Sequence, residues 1–108
     1  MESVTVLNGT PREDEVMRNV INVLRDNLDP PKILLFGSRA KGTHYRQSDF
    51  DFAVDMKKQD DRGIWDLEEK IDAVSGLYGV DVIYLPEVDD EFRQIIFKTG
   101  KVVYERGN

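Results

Sequence analysis

The sequence predicts an α+β domain: a mixed β-sheet with helices packed on one face. Three observations lead there. Short apolar runs of strand length alternate with longer segments of helical apolar spacing. Proline or glycine stands at most of the boundaries between them. Residues 49–55 alternate strictly, with Phe50, Phe52 and Val54 on one side and Asp49, Asp51, Ala53 and Asp55 on the other. A strand patterned this way needs cover on its apolar face only, so the other face is expected to be open.

The first elements are marked by their breakers. Val4-Thr5-Val6-Leu7 before Asn8-Gly9 reads as an edge strand or a loose terminus, covering residues 1–9. Thr10-Pro11-Arg12-Glu13 is a capping box with proline at the first helical position. Val16, Val20, Val23, Leu24 and Leu28 follow at helical spacing, so a helix is expected to about Asn27. Asp29-Pro30-Pro31 stops it, because proline has no N–H to continue the ladder and disfavours helix in the preceding residue. Ile33-Leu34-Leu35-Phe36 is then a buried strand that Gly37 ends, and Ser38 to Lys41 can form a short helix closed by Gly42.

Residues 43–48 are a polar loop before the alternating strand, and Lys57 to Asp61 is a charged turn. Ile64, Leu67, Ile71, Val74 and Tyr78 predict a second long helix, ended near Gly76 to Gly79. Val80 to Leu85 is a third strand, with Asp81 phased opposite to Val80, Val82 and Tyr84, and Pro86 breaks it. Val88, Phe92, Ile95, Ile96 and Thr99 support a last helix capped by Gly100, and Lys101 to Glu105 is a terminal strand. Trp65, Phe92 and Phe97 fit helix faces packed on the sheet or on a partner.

Composition narrows the function. The chain has 108 residues, which suits one domain spanning 1–108 with a core that needs no staple. A formal net charge of −6 argues against tight nonspecific nucleic-acid binding. The absence of cysteine removes disulfides, thiolate metal sites and cysteine nucleophiles, and the single histidine, His44, removes multi-histidine metal sites. No apolar run approaches the roughly 18 residues needed to cross a bilayer, and no secretory leader pattern is visible, so the expected location is the cytoplasm.

The chemistry is concentrated in "LLFGSRAKGTHYRQSDFDFAVD", residues 34–55. Asp49 and Asp51 lie about 7 Å apart along one strand face, close enough to share an ion. Carboxylates that close repel unless a proton or cation intervenes. Oxygen-only ligands suit Mg²⁺ or Mn²⁺, completed by substrate phosphates, and Asp81 is in phase to be a third acid. Gly37 lets backbone approach a bulky anion, while Ser38 and the following amides can donate to phosphate. Gly37-x-x-x-x-Gly42 has the glycine spacing of a P-loop, but Thr43-His44 stands where lysine is required, so that reading fails.

The set "FGSRAKG…SDFDFAV" with a later strand acid resembles the signature of the DNA-polymerase-β-type nucleotidyltransferase superfamily, in its minimal single-domain (MNT) branch. The pattern falls on Gly37, Ser38, Asp49, Asp51 and Asp81. The resemblance implies the polymerase-β-type nucleotidyltransferase fold and a Mg²⁺-dependent transfer of a nucleoside monophosphate, AMP from ATP, to a hydroxyl. It implies Asp49, Asp51 and Asp81 as metal ligands, with Asp81 also activating the attacking hydroxyl. Gly37, Ser38 and Arg39 become the expected nucleotide-binding residues. Minimal members commonly pair with a helical HEPN-domain protein and act as its antitoxin, some by adenylylating it, so a homo- or hetero-oligomer is expected. The loop before Ser48-Asp49 departs from the family, which often has proline where this chain has His44-Tyr45-Arg46-Gln47. Lys41 and Arg46 are further candidates for phosphate, and His44 reads as a loop residue. Two rival readings are a nucleotide-binding antitoxin that neutralises its partner by occlusion alone and a transferase for a larger acceptor such as an antibiotic. The length disfavours the second, since no further domain is present to hold such an acceptor.

Overall fold

The computed structural model describes residues 10–107 and the backbone of residues 3 and 4. Helix α1 runs Pro11–Leu28. Its capping box is complete: the Glu13 N–H donates to Thr10 Oγ1 at 3.2 Å, and the Thr10 N–H donates to Glu13 Oε1 at 3.1 Å. The helix stops on Asp29, whose left-handed φ of 47° turns the chain into Pro30-Pro31. Strand β2 (Lys32–Phe36), the single-turn helix α2 (Ser38–Lys41) and strand β3 (Phe50–Val54) follow. Helix α3 (Asp61–Ser75) leads to strand β4 (Val80–Tyr84). A 3₁₀ turn at Leu85–Glu87, helix α4 (Asp90–Thr99) and strand β5 (Lys101–Glu105) complete the order. A two-residue strand β1 (Ser3–Val4) pairs with β5; the remainder of the apolar alternation before Asn8-Gly9 lies outside the described residues.

One mixed sheet results, in the order β1-β5-β2-β3-β4. Strands β5 and β2 run antiparallel to both of their neighbours, while β3, antiparallel to β2, is joined in parallel by β4 through α3. Period 2 sorts the side chains. Ile33 and Leu35 of β2 point the same way as their partners Val54 and Phe52 of β3, into a core shared with Val16, Val20 and Leu24 of α1 and Leu67 and Ile71 of α3. The two long helices are therefore the layer that the alternation of residues 49–55 demanded.

The opposite face is open only at one end. Leu34 and its partner Ala53 form a second buried cluster with Leu85 and with Ile96 of α4. The reason is topological. The chain leaves β4 at one edge of the sheet and must cross β3 and β2 to reach β5, and α1 and α3 already occupy the other side. Helix α4 makes that crossing. Arg93 braces it, its Nε donating to the Leu85 carbonyl at 2.9 Å and its Nη2 to the Val88 carbonyl at 2.9 Å. At the end not covered by Ile96, this face carries Asp51 and Asp81. Among the described residues no helix is long and apolar enough to cross a membrane.

Ile96 is 1% exposed, so Ile96→Ala should destabilise the protein by about 2–4 kcal/mol in urea unfolding. An uncovered sheet face would put the change within about 0.5 kcal/mol.

Candidate active site

Strand register assembles the acids. In the antiparallel β2–β3 ladder Phe36 stands opposite Asp51, and in the parallel β3–β4 ladder Asp51 stands opposite Asp81. Residues opposite one another share a face, so the end of β2, Asp51 and Asp81 form a row across three strands. Gly37, the residue after Phe36, then lies directly against Asp51. A side chain at Gly37 would meet Asp51 Oδ2 at 2.5 Å. Its φ of 74° and ψ of −156° belong to a region that only glycine occupies readily. Glycine is required here twice over, by the backbone and by the carboxylate.

Asp49 precedes β3 by one residue and is exposed, as is Asp81; Asp51 is half-buried. The Asp49 carboxylate lies where a side chain at Gly79 would be, so the glycine just before β4 makes room for it. Burial pushes the Asp51 carboxyl above the usual carboxylate range, and the charge of Asp81, the charge of Asp49 and a hydrogen bond with Asp81 add to this. Asp51 thus senses both of the other acids. Among the described residues, no three acidic or histidine side chains already converge closely enough to hold a metal ion. Ser38 is the first residue of α2, half-buried, beside Gly37.

Arg39 does something other than expected. It is 6% exposed, turned away from solvent, and its Nη1 donates to Glu13 Oε2 at 2.6 Å. Its Nε donates to the Ser48 carbonyl at 3.0 Å and its Nη2 to the Arg46 carbonyl at 3.2 Å. The guanidinium lies 3.9 Å from the centroid of the Phe50 ring and 5.5 Å from that of Tyr78. A guanidinium with its donors and its face committed in this way is not presented to a nucleotide. The expectation of nucleotide binding is corrected for Arg39: a buried cation needs a carboxylate, and Glu13 supplies it. His44 joins the same cluster, with Nε2 3.8 Å from Glu13 Oε2. Lys41 is exposed on α2, and the Arg46 side chain borders a separate cavity of about 420 Å³ with Arg12 and Tyr78.

The Polymerase beta, Nucleotidyltransferase family model matches residues 18–108, which contain the whole row of acids and the Gly-Ser turn. The chain belongs to that nucleotidyltransferase family. A crystal structure described as a toxin-antitoxin with AMP-PNP is 32% identical to this nucleotidyltransferase over 82% of its chain and 73% of the other, with a TM-score of 0.68. The MntA-HepT toxin-antitoxin structure is 26% identical over 84% and 71%, with a TM-score of 0.63. A re-refined structure of the tri-AMPylated Shewanella oneidensis HEPN toxin in complex with MNT antitoxin is 25% identical over 88% and 73%, with a TM-score of 0.64. No curated protein matches significantly.

Two residues of the nucleotidyltransferase's site escaped the sequence. Glu13 carried a capping signal that accounted for one of its oxygens and gave no hint of the other. Gly79 carried the weaker signal of a glycine two residues before a strand acid, and it looked like a helix terminator.

Removing one partner of a buried ion pair leaves the other charge uncompensated, so Glu13→Ala should cost about 3–5 kcal/mol in urea unfolding. Arg39 holds the Glu13 carboxyl down at about 2, against an ordinary 4.5. The unfolded chain therefore binds this proton first. The contribution of the pair is complete above pH 4.5, falls as the pH drops towards 2, and the Glu13→Ala variant should lack that part of the acid-induced loss. Gly37→Ala should cost about 1–3 kcal/mol from backbone strain alone, and it should displace the Asp51 carboxylate, visible as a shifted NMR titration of that group.

Proposed function

We propose that this nucleotidyltransferase transfers AMP from ATP to a hydroxyl on a HEPN-domain protein partner and acts as that partner's antitoxin in the cytoplasm. The observation that carries the reading is the row formed by Gly37, Asp51 and Asp81, with Asp49 beside it. The relatives support the rest: one is described with AMP-PNP, and another has an MNT antitoxin beside an AMPylated HEPN toxin.

The reaction is a displacement at the α-phosphorus. The acceptor oxygen forms a P–O bond as the bond to the bridging α–β oxygen breaks, pyrophosphate leaves, and the hydroxyl proton passes to a base. Asp81 is the exposed acid at the end of the row and suits that role. Gly37 and Ser38 take the departing phosphates, since the chain there has no side chain to obstruct them and a hydroxyl to donate. Arg39 positions rather than binds: by holding the Arg46 and Ser48 carbonyls it sets where Asp49 begins.

The donor set fits a hard divalent cation such as Mg²⁺ or Mn²⁺. It consists of carboxylate oxygens, the Asp51 pKa is raised by burial and then by the charges of Asp81 and Asp49, and Gly37 leaves the approach to Asp51 clear. Asp49, Asp51 and Asp81 would hold it, with phosphate oxygens completing a shell that the side chains alone do not close. When bound, such an ion neutralises charge developing on the phosphates.

The test incubates the protein with its HEPN-domain partner, Mg²⁺ and ATP labelled at the α-phosphate. Label should appear on the partner, and Asp49→Asn with Asp51→Asn should lower its rate by roughly three orders of magnitude. No label on the partner with the native protein would reject the transfer. Neutralisation that survives the double substitution would assign the antitoxin effect to occlusion.

A further inference from the structure

Strand β4 ends the sheet, and among the described residues nothing pairs with its outer side. The Phe50 N–H donates to the Gly79 carbonyl at 2.9 Å. In a parallel ladder the backbone groups then alternate, so Gly79, Asp81 and Ile83 turn theirs towards β3 while Val80 and Val82 turn theirs outward. An unpaired edge of this kind is a template for another strand, and proteins usually cover, charge or shorten it.

Beside that edge, between β4 and α3, lies a cavity of about 350 Å³. Its floor is apolar, made by Leu67 and Ile71 of α3 with Val80 and Val82 of β4. Its rim is acidic: Glu68, Asp72 and Asp81 face one cation, Lys58. Trp65 is 61% exposed and stands three and seven residues before Glu68 and Asp72, on the same flank of α3. Asp81 also lines this cavity, while its carboxylate shares the opposite sheet face with Asp51, so a strand laid along the β4 edge presents one set of alternate side chains to the groove and the other set to the row of acids.

We propose that the β4 edge and the α3 groove bind the acceptor as an extended, basic, hydroxyl-bearing segment of the partner protein, which adds to the sheet as a sixth strand. Backbone pairing to Val80 and Val82 gives register, and alternate side chains fall on the apolar floor. Lysine or arginine of the segment meets Glu68 and Asp72, and a cation over Trp65 adds an aromatic contact. Glu68 and Asp72 repel a triphosphate, so the groove is left to the acceptor. This assignment rests on the nucleotidyl transfer proposed above, and it names where the hydroxyl comes from.

Trp65 is the only tryptophan and stands on the α3 flank that carries Glu68 and Asp72, so its emission reports on a segment held by those acids. The probe is a tryptophan-free hexapeptide of alternating lysine and tyrosine, with a glutamate–tyrosine hexapeptide as control. The basic peptide should shift Trp65 emission saturably and the acidic one should not. Glu68→Lys with Asp72→Lys should weaken binding by about tenfold or more. Val82→Pro, which removes an outward N–H, should weaken it similarly with the melting temperature of the charge variant and of this one checked in parallel. In AMP transfer to the intact partner, the charge variant should raise the KM for the partner and leave the KM for ATP unchanged. Equal binding of both peptides, or binding indifferent to the two charge substitutions, overturns the proposal. Because Glu68 and Asp72 are exposed, the charge variant decides the matter even if Val82→Pro does not fold. A native protein that binds the basic peptide in this groove but labels no partner rejects the transfer and leaves the groove assignment standing.

Discussion

The contact between Arg39 and Glu13 holds the site's parts in one frame. Glu13 closes the first turn of α1 with one oxygen and receives Arg39 with the other, so the N-terminus of α1 is bonded to α2. Arg39 extends the connection to the carbonyls of Arg46 and Ser48 and to the ring of Phe50. The loop of residues 43–48 contains neither helix nor strand, and without those bonds it would set no defined position for Asp49. A buried pair of this type adds little net stability over an apolar pair of equal volume. What it supplies is a direction for the chain entering β3.

The acids illustrate the opposite economy. Asp51 and Asp81 are cross-strand neighbours of like charge, an arrangement that weakens a sheet. The unfavourable contact persists where the rest of the sheet over-determines it: Ile33, Leu35, Phe52 and Val54 pin the β2–β3 register from the buried face. A one-residue slip of either strand would send its two apolar residues to the wrong side. Burial of one face thus fixes the charged row on the other, where the proposed cation would offset the repulsion.

Charge is divided over the surface, and the substrate sites proposed above follow that division. The Gly37-Ser38 turn presents backbone and hydroxyl, the groove between β4 and α3 presents carboxylates, and Asp81 stands at the junction. On the proposed reading, Glu68 and Asp72 disfavour an anionic nucleotide in the groove and favour a basic acceptor there. That division gives a function to the acidic net charge, which by itself had only argued against nucleic acid.

Element order, most boundaries and the fold class were legible in the sequence, because capping boxes, prolines and alternating apolar residues act over a few residues and carry their own physics. That Asp51 and Asp81 would share a face was legible for the same reason: alternation along strands has a fixed geometric meaning. The tertiary structure alone decided the rest. It turned Arg39 inward, since only the fold brings a carboxylate from 26 positions away to a buried guanidinium. It carried α4 onto the second face, since the crossing from β4 to β5 depends on strand order and not on any local pattern. It also left β4 at an edge beside an acidic groove. A sequence records which residues alternate, but the neighbour a strand lacks is a property of the assembled sheet.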